Sequence, residues 1–412
     1  MVNLKLRLSF GYSGNNAGIS AYGTQVTPST GTLVRYNFGG TAAGYDNNDE
    51  VIFSVQYSAA SLSSNTNGNN QQGQFGPYLG GTERNHKYMA QDYNCSWAAH
   101  SWFPKNDARY DVTFMLKMWN EYNDYYAPAR SRPGIDRFTA IYPRAWDRAQ
   151  EMYEDYLLLT DGETAPNAEG YRTFTNVLMT RNVGTDQLLV DGALEFIKKW
   201  WPQYETIDPL NSFQMVSGNY VNQLRIYPFI EHLDDPLANE WYWRSGLAMD
   251  FFQPVVKKFD MGRSVVFNTH ESYRDIVLAS LSETMLLYAE ACIGRQEWGD
   301  AEAMINKVLA RPGNSKDGTP LSVVLPTSSQ QAALEVYLKE SAKELYGQYC
   351  GRWPELRRTK MLKFMVYKYN FDFRQGGRLE GDPIGNKLYR PIPEGAMEIN
   401  EGISAADQNP GY

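Results

Sequence analysis

From Leu278 onward the apolar positions fall into helical spacing. Leu278, Leu281, Met285, Tyr288, Ala289 and Cys292 recur on one face and predict an amphipathic helix with a single buried stripe. Gly294 and Gly299 interrupt the pattern, and Asp300 stands where the cap of a following helix is expected. Met304, Ile305, Val308 and Leu309 give that second helix its apolar stripe, which Pro312-Gly313 ends. Another hairpin opens at Ser328 and Gln331, which have the spacing of a capping box. Leu334, Tyr337, Leu338, Ser341 and Leu345 share one face of its helix, while Glu335-Lys339 and Glu340-Glu344 lie on others. A further helix is predicted from Pro354 to Tyr367. Helix pairs of this length stack like tetratricopeptide repeats, because each needs a neighbour to cover its apolar face.

Upstream the periodicity changes. Val51, Phe53, Val55 and Tyr57 alternate with Ile52, Ser54 and Gln56, which predicts a strand. From Ser61 to Gly81 the composition turns to Ser, Asn, Gln and Gly, the mark of a long loop. Residues 82–270 are crowded with aromatics and show little sustained period. The exceptions are a helix expected around Ala145 to Leu159 and another around Leu189 to Trp201, whose Trp200-Trp201 end reads as packing. Aromatic loops of such length inside a helical protein point to function, since disorder would leave many Trp and Tyr rings wet.

The order of motifs in the last third resembles the SusD/RagB family. The residues that carry the resemblance are Leu286-Tyr288-Ala289-Glu290-Ala291, Glu340, Glu344-Leu345, Arg352-Trp353, Glu355-Leu356, Leu388-Tyr389, Pro391-Ile392-Pro393 and the closing Gln408-Asn409-Pro410-Gly411-Tyr412. Ser341 departs from it, taking a position where the family usually has arginine. The resemblance implies a mainly α, SusD-like fold: tetratricopeptide-type hairpins packed with a loop-rich, aromatic-rich region containing a few short strands. It implies one domain over residues 1–412. Residues 1–60 would be a remnant of the N-terminal part, 61–270 the variable ligand-binding region, and 271–412 the scaffold and signature tail. Family members are lipid-anchored on the outward face of the outer membrane beside a TonB-dependent, SusC-like transporter. Cys95, Cys292 and Cys350 have no lipobox before them, and Met1-Val2-Asn3-Leu4-Lys5 opens no apolar leader. The expectation is therefore a chain trimmed at its N-terminus, or a reading frame begun at an internal methionine, and complete at its C-terminus.

Charge and cysteine content narrow the chemistry. Three scattered cysteines make neither a disulfide framework nor a CxxC metal site, and Cys292 is expected to be buried and inert. A formal charge of −8 opposes nucleic-acid binding, which needs a basic face. It also favours a neutral glycan over an anionic one, unless a local basic patch such as Lys257-Lys258 reverses the balance. No cofactor is expected.

The chain holds 10 Trp and 29 Tyr, and flat rings suit the apolar C–H face of a pyranose while amides and charges bond its hydroxyl rim. The candidate ligand-binding residues are Tyr78, Arg84, Asn85, Tyr88, Asp92, Tyr93, Trp97 and Trp102, with Trp241 and Trp243 as a second ridge. Packing of loops against the scaffold is the competing role for every one of these rings. Catalytic patterns are incomplete. Gly11-Tyr12-Ser13-Gly14-Asn15 lacks the last glycine of a nucleophile elbow, and Arg274 replaces the second histidine after His270-Glu271. Asp46-Asn47-Asn48-Asp49 reads as a solvated turn before a calcium site. Glu121, Asp124, Asp234 and Asp235 keep a surface glycoside hydrolase as an alternative, and the helical repeats keep a protein- or peptide-binding adaptor as another. The favoured function is non-catalytic capture of a neutral oligosaccharide for a TonB-dependent transporter.

Overall fold

The computed structural model describes residues 24–26, 33–35, 50–55, 97–119, 138–141, 144–159, 182–185, 187–202, 213–222, 225–226, 254–256, 258, 276–348, 351–369, 384 and 389–410. Helices dominate these residues. In chain order they are α1 Trp97–Ser101, α2 Ala108–Thr113, α3 Ala149–Leu159, α4 Gln187–Trp200 and α5 Leu281–Gly294. Then come α6 Trp298–Leu309, α7 Gln330–Glu344, α8 Arg352–Arg358, α9 Leu362–Tyr369 and α10 Glu394–Ile399. The described strands have five residues or fewer and lie in separate two- and three-stranded sheets. The mainly α expectation therefore holds. No helix among the described residues is long and apolar enough to cross a membrane.

The core sits where α5, α6 and α7 meet. Leu286, Ala289, Cys292 and Ile293 of α5 face Ala301, Ile305, Val308 and Leu309 of α6 and Ala333, Tyr337 and Leu338 of α7. Full burial of one large aliphatic side chain contributes about 1.5–3 kcal/mol, so this interdigitated set is the main stabilising mass. The buried stripe of α5 differs from the predicted one. Tyr288 is 52% exposed and Leu278 belongs to the preceding strand, Ile276–Ser280, because the helix starts only at Leu281. Ser280 caps it by accepting from the Glu283 amide at 3.2 Å.

Helix boundaries also moved. Asp300 does not cap α6 but lies in its first turn, where a carboxylate favours the positive end of the helix dipole. Ser329, not Ser328, caps α7 by accepting from the Ala332 amide at 3.1 Å. The helix predicted across 354–367 is two helices, α8 and α9. The break is a Schellman closure: the Met361 amide bonds Leu356 O at 2.9 Å and the Lys360 amide bonds Arg357 O at 3.0 Å. That closure requires a left-handed residue, and Lys360 supplies it at φ 59° where glycine is usual. The end of α5 repeats the device with Gln296 at φ 64°, the Glu297 amide reaching Cys292 O at 2.9 Å. Gly294 therefore ends the helix without being the residue that turns the chain.

Val51–Val55 pairs antiparallel with Ile276–Ser280, but its alternation is not the predicted one. Phe53 is 61% and Val55 40% exposed, whereas Ser54 is half-buried. Register shifts between Val277 and Ser280 are the reason, since a bulge breaks the two-residue period. The helix expected from Ala145 begins as a 3₁₀ turn at Trp146–Arg148 and continues as α3. Trp200 and Trp201 at the end of α4 are buried as expected, and the Trp200 indole donates to Asp155 Oδ2 at 2.8 Å.

Candidate ligand-binding site

Residues 97–119 leave the scaffold in sequence yet dock onto it in space. The backbone does part of this: Ala108 N bonds Asn314 O at 2.8 Å and Lys316 N bonds Asn106 O at 2.9 Å. Asn314 is fully buried and its amide donates to Val308 O at 3.0 Å, capping the open end of α6. Charge does the rest. Arg109 binds Asp107 Oδ2 at 2.7 Å, Glu340 Oε2 at 3.2 Å and Glu344 Oε2 at 3.3 Å. Arg311 joins Glu50 at 2.9 Å and also pairs with Glu344, while Lys343 pairs with Glu340 at 2.6 Å. Lys258 completes the set by donating to Glu344 O at 2.9 Å.

Every named member of this network is buried, and among the described residues it sets four cations against four carboxylates. Balance is a condition for survival, since several kcal/mol of desolvation per ion must be offset by partners. Burial would raise the Glu344 carboxyl, but the charges of Arg311 and Arg109 outweigh it and hold it below the usual range. Lys343 responds oppositely: burial lowers it, and the attraction of Glu340 only partly compensates. Lys258 thus belongs to an internal clamp, so it does not supply the local basic patch that could have reversed the preference for a neutral glycan; Lys257 lies outside the described residues. Glu340 and Glu344, off the apolar stripe as expected, are buried all the same.

Around this clamp Phe103, Tyr110, Phe114 and Val256 form a second, smaller core. Arg144 crosses it, its guanidinium 3.9 Å from the Trp146 ring centroid and 5.0 Å from that of Tyr110. Of the candidate binding residues, Trp97 opens α1 and Trp102 follows that helix. Trp102 is half-buried against the main core and meets the Tyr369 ring edge-on at 5.2 Å. The Trp97 side chain and all of Tyr78, Arg84, Asn85, Tyr88, Asp92, Tyr93, Trp241 and Trp243 lie outside the described residues. So do Glu121, Asp124, Asp234, Asp235, Cys95, Cys350 and the short motifs at 11–15, 46–49 and 270–274.

A concave feature that sequence reasoning missed opens on the other end of α9. A groove of about 750 Å³ is lined by Pro354, Arg357 and Arg358 of α8, Lys360 and Leu362 at the break, Lys363, and Tyr389. Arg358 is held by Glu290 at 2.6 and 2.8 Å, and those bonds keep it charged. Arg357 lies over the Tyr389 ring at 4.6 Å. The signal was present in the composition: six basic residues against one acid between Arg352 and Lys368, in a chain of charge −8.

The tail next to Tyr389 is tied back on itself. The Gln408 side chain accepts from Ile392 N at 2.7 Å and donates to Ile392 O at 3.0 Å, and Asn409 donates to Arg390 O at 2.7 Å. Residues 268–412, which contain the helical core, the groove and this clasp, match the model of the SusD family. Over these residues the chain is similar to the SusD family. No curated protein matches the chain. Among solved structures, a SusD superfamily protein from Bacteroides fragilis is similar at 12% identity and a TM-score of 0.39. That match covers 98% of this chain and 64% of the Bacteroides protein, so the chain spans less than two thirds of that protein's length.

The residues that carry the SusD-family likeness have physical roles in the structure. Glu340 and Glu344 anchor the clamp, and Arg352 bonds Leu338 O at 2.9 Å and Glu355 at 2.6 Å. Ser341 donates to the same Glu355 at 2.5 Å, so the hydroxyl that replaces the expected arginine is absorbed by the Arg352–Glu355 pair. Trp353 packs against the main core.

Proposed function

We propose that this protein is a non-catalytic cell-surface binding protein that captures a neutral oligosaccharide and passes it to a TonB-dependent outer-membrane transporter. The observation that carries the reading is the SusD-family match over residues 268–412, since that family supports a carbohydrate-binding role in nutrient uptake. Its proteins are generally surface lipoproteins of the outer membrane, associated with SusC-like transporters. The division of labour in this chain agrees with such a role. A helical platform holds residues 97–119, inside the aromatic region, through Asp107 and Arg109, and residues 61–270 supply the rings and planar polar groups a sugar needs.

Each ring–sugar stack adds about 0.5–1.5 kcal/mol beyond area burial. A few stacks and hydrogen bonds therefore give micromolar to millimolar affinity, which suits a protein that must release its cargo. Calorimetric titration with a panel of neutral oligosaccharides is the test. We expect one class to bind in that range and to weaken about three- to tenfold in Trp97→Ala and Tyr78→Ala. Hydrolysis products on incubation would establish a surface glycosidase instead. A panel with no binder, together with capture of a defined peptide, would establish the adaptor.

A further inference from the structure

We propose that the groove between α8, α9 and Tyr389 is a saccharide subsite for an acidic sugar, separate from the aromatic stretch. The inference rests on the carbohydrate-binding reading above and adds a ligand class that the average charge of the chain disfavours. Its cations take a carboxylate or sulfate, and the Tyr389 ring covers a face of the same or the adjoining sugar ring.

Four observations support this occupant. Arg357, Arg358, Lys360 and Lys363 all line the groove, and no carboxylate lines it among the described residues. Arg358 is committed to Glu290, so it forms a fixed wall. Arg357 and Lys360 have no ion-pair partner among the described residues, and both line the groove. Arg357 is in addition oriented by its stack on Tyr389, and a planar guanidinium held in place is the group best matched to a planar carboxylate.

The third observation is the apolar part of the lining. Pro354 and Leu362 give the groove an apolar component, and Tyr389 is 53% exposed at its edge. A purely electrostatic surface for a polyanion has no use for an exposed ring beside a proline, whereas a sugar presents both a charged group and a C–H face. The fourth is size: about 750 Å³ lies within the range of small-ligand sites and holds a ligand of a few sugar rings. The left-handed turn at Lys360 makes the groove possible, because it separates α8 from α9 and sets cations from both helices around one hollow.

Calorimetry on the intact chain, at low and at high salt, tests the assignment with four probes. They are tri-galacturonate, a sulfated chondroitin disaccharide, neutral maltotriose and tri-glutamate. We expect at least one acidic saccharide to bind more tightly than maltotriose and tri-glutamate, with affinity falling as salt rises. The double variant Arg357→Gln/Lys360→Gln should lose about tenfold or more. Tyr389→Ala should lose about three- to tenfold. Both should keep the wild-type thermal midpoint and the wild-type affinity for whichever neutral oligosaccharide the aromatic stretch takes. Equal binding of acidic and neutral saccharides, equal binding of tri-glutamate, or variants that bind acidic saccharides like wild type would overturn the assignment. Because neutral binding is read in the same variants, loss of the acidic subsite is distinguishable from failure of the carbohydrate reading itself.

Discussion

The contact between α5 and α6 and the contact between residues 97–119 and α7 bring distant surfaces together by opposite means. In the first, Leu286, Ala289 and Ile293 meet Ala301, Ile305 and Val308, with no charged residue among them. In the second, Arg109 reaches Glu340 and Glu344 more than two hundred residues away, and Lys343 donates to Trp102 O at 3.1 Å. The apolar contact is non-directional, tolerates small shifts and is reinforced by local sequence. The ionic contact is directional and holds only if every partner arrives, so it specifies where residues 97–119 must dock. That is the property a binding loop needs from its platform.

Breaking the ionic side should have the largest effect. Arg109→Ala leaves Asp107, Glu340 and Glu344 buried with less compensation, and we expect a loss of about 3–5 kcal/mol in urea unfolding. A loss near that of a surface pair, about 0–1 kcal/mol, would mean that the clamp does not hold the segment. Breaking the apolar side should come next: Leu338→Ala at a fully buried position should cost about 2–5 kcal/mol through lost transfer energy and a cavity.

Acid sharpens the contrast, because only the ionic side titrates. Glu344 has a folded pKa below its unfolded value, so the unfolded chain takes the proton more readily. Its contribution is present above about pH 4.3 and is lost as the pH falls through the lower folded value. Unfolding free energy followed by titration should therefore fall on acidification in the wild type and fall less steeply in Glu344→Gln. Parallel curves would remove Glu344 from the acid response. The smallest effect lies at a helix end: Gln296→Gly should stabilise by about 1 kcal/mol by relieving the left-handed backbone, read as a raised thermal midpoint.

The helices of the scaffold were legible because their signal is local. Met304, Ile305, Val308 and Leu309, and likewise Leu334, Tyr337, Leu338, Ser341 and Leu345, repeat within a few turns, and burial followed that repeat. Their ends were harder. Lys360 and Gln296 occupy left-handed positions that sequence reasoning reserves for glycine, and at Lys360 one helix was read where there are two. The tail was recognised as a pattern, Pro391-Ile392-Pro393 and Gln408-Asn409, but not as a clasp, since no spacing reveals that one side chain bonds a backbone sixteen residues back. Of the candidate site, Trp102 was singled out for its ring, and the structure places that ring against Tyr369. The groove was overlooked because Arg357 and Tyr389 lie far apart in the chain and were read only as scaffold.

By itself the sequence determined the helices of the scaffold, since periodic apolar spacing acts over neighbouring residues and needs no partner to be read, and the mainly α class followed from the resemblance of its last third to a known family. Tertiary structure decided which charges are internal and which remain at the surface. Glu344, Lys258 and Arg357 look alike as letters, but two are locked in a balanced interior and one lines an open hollow. The physical reason is that the state of a charge depends on the dielectric and the partners around it, and those are assembled only when distant segments meet.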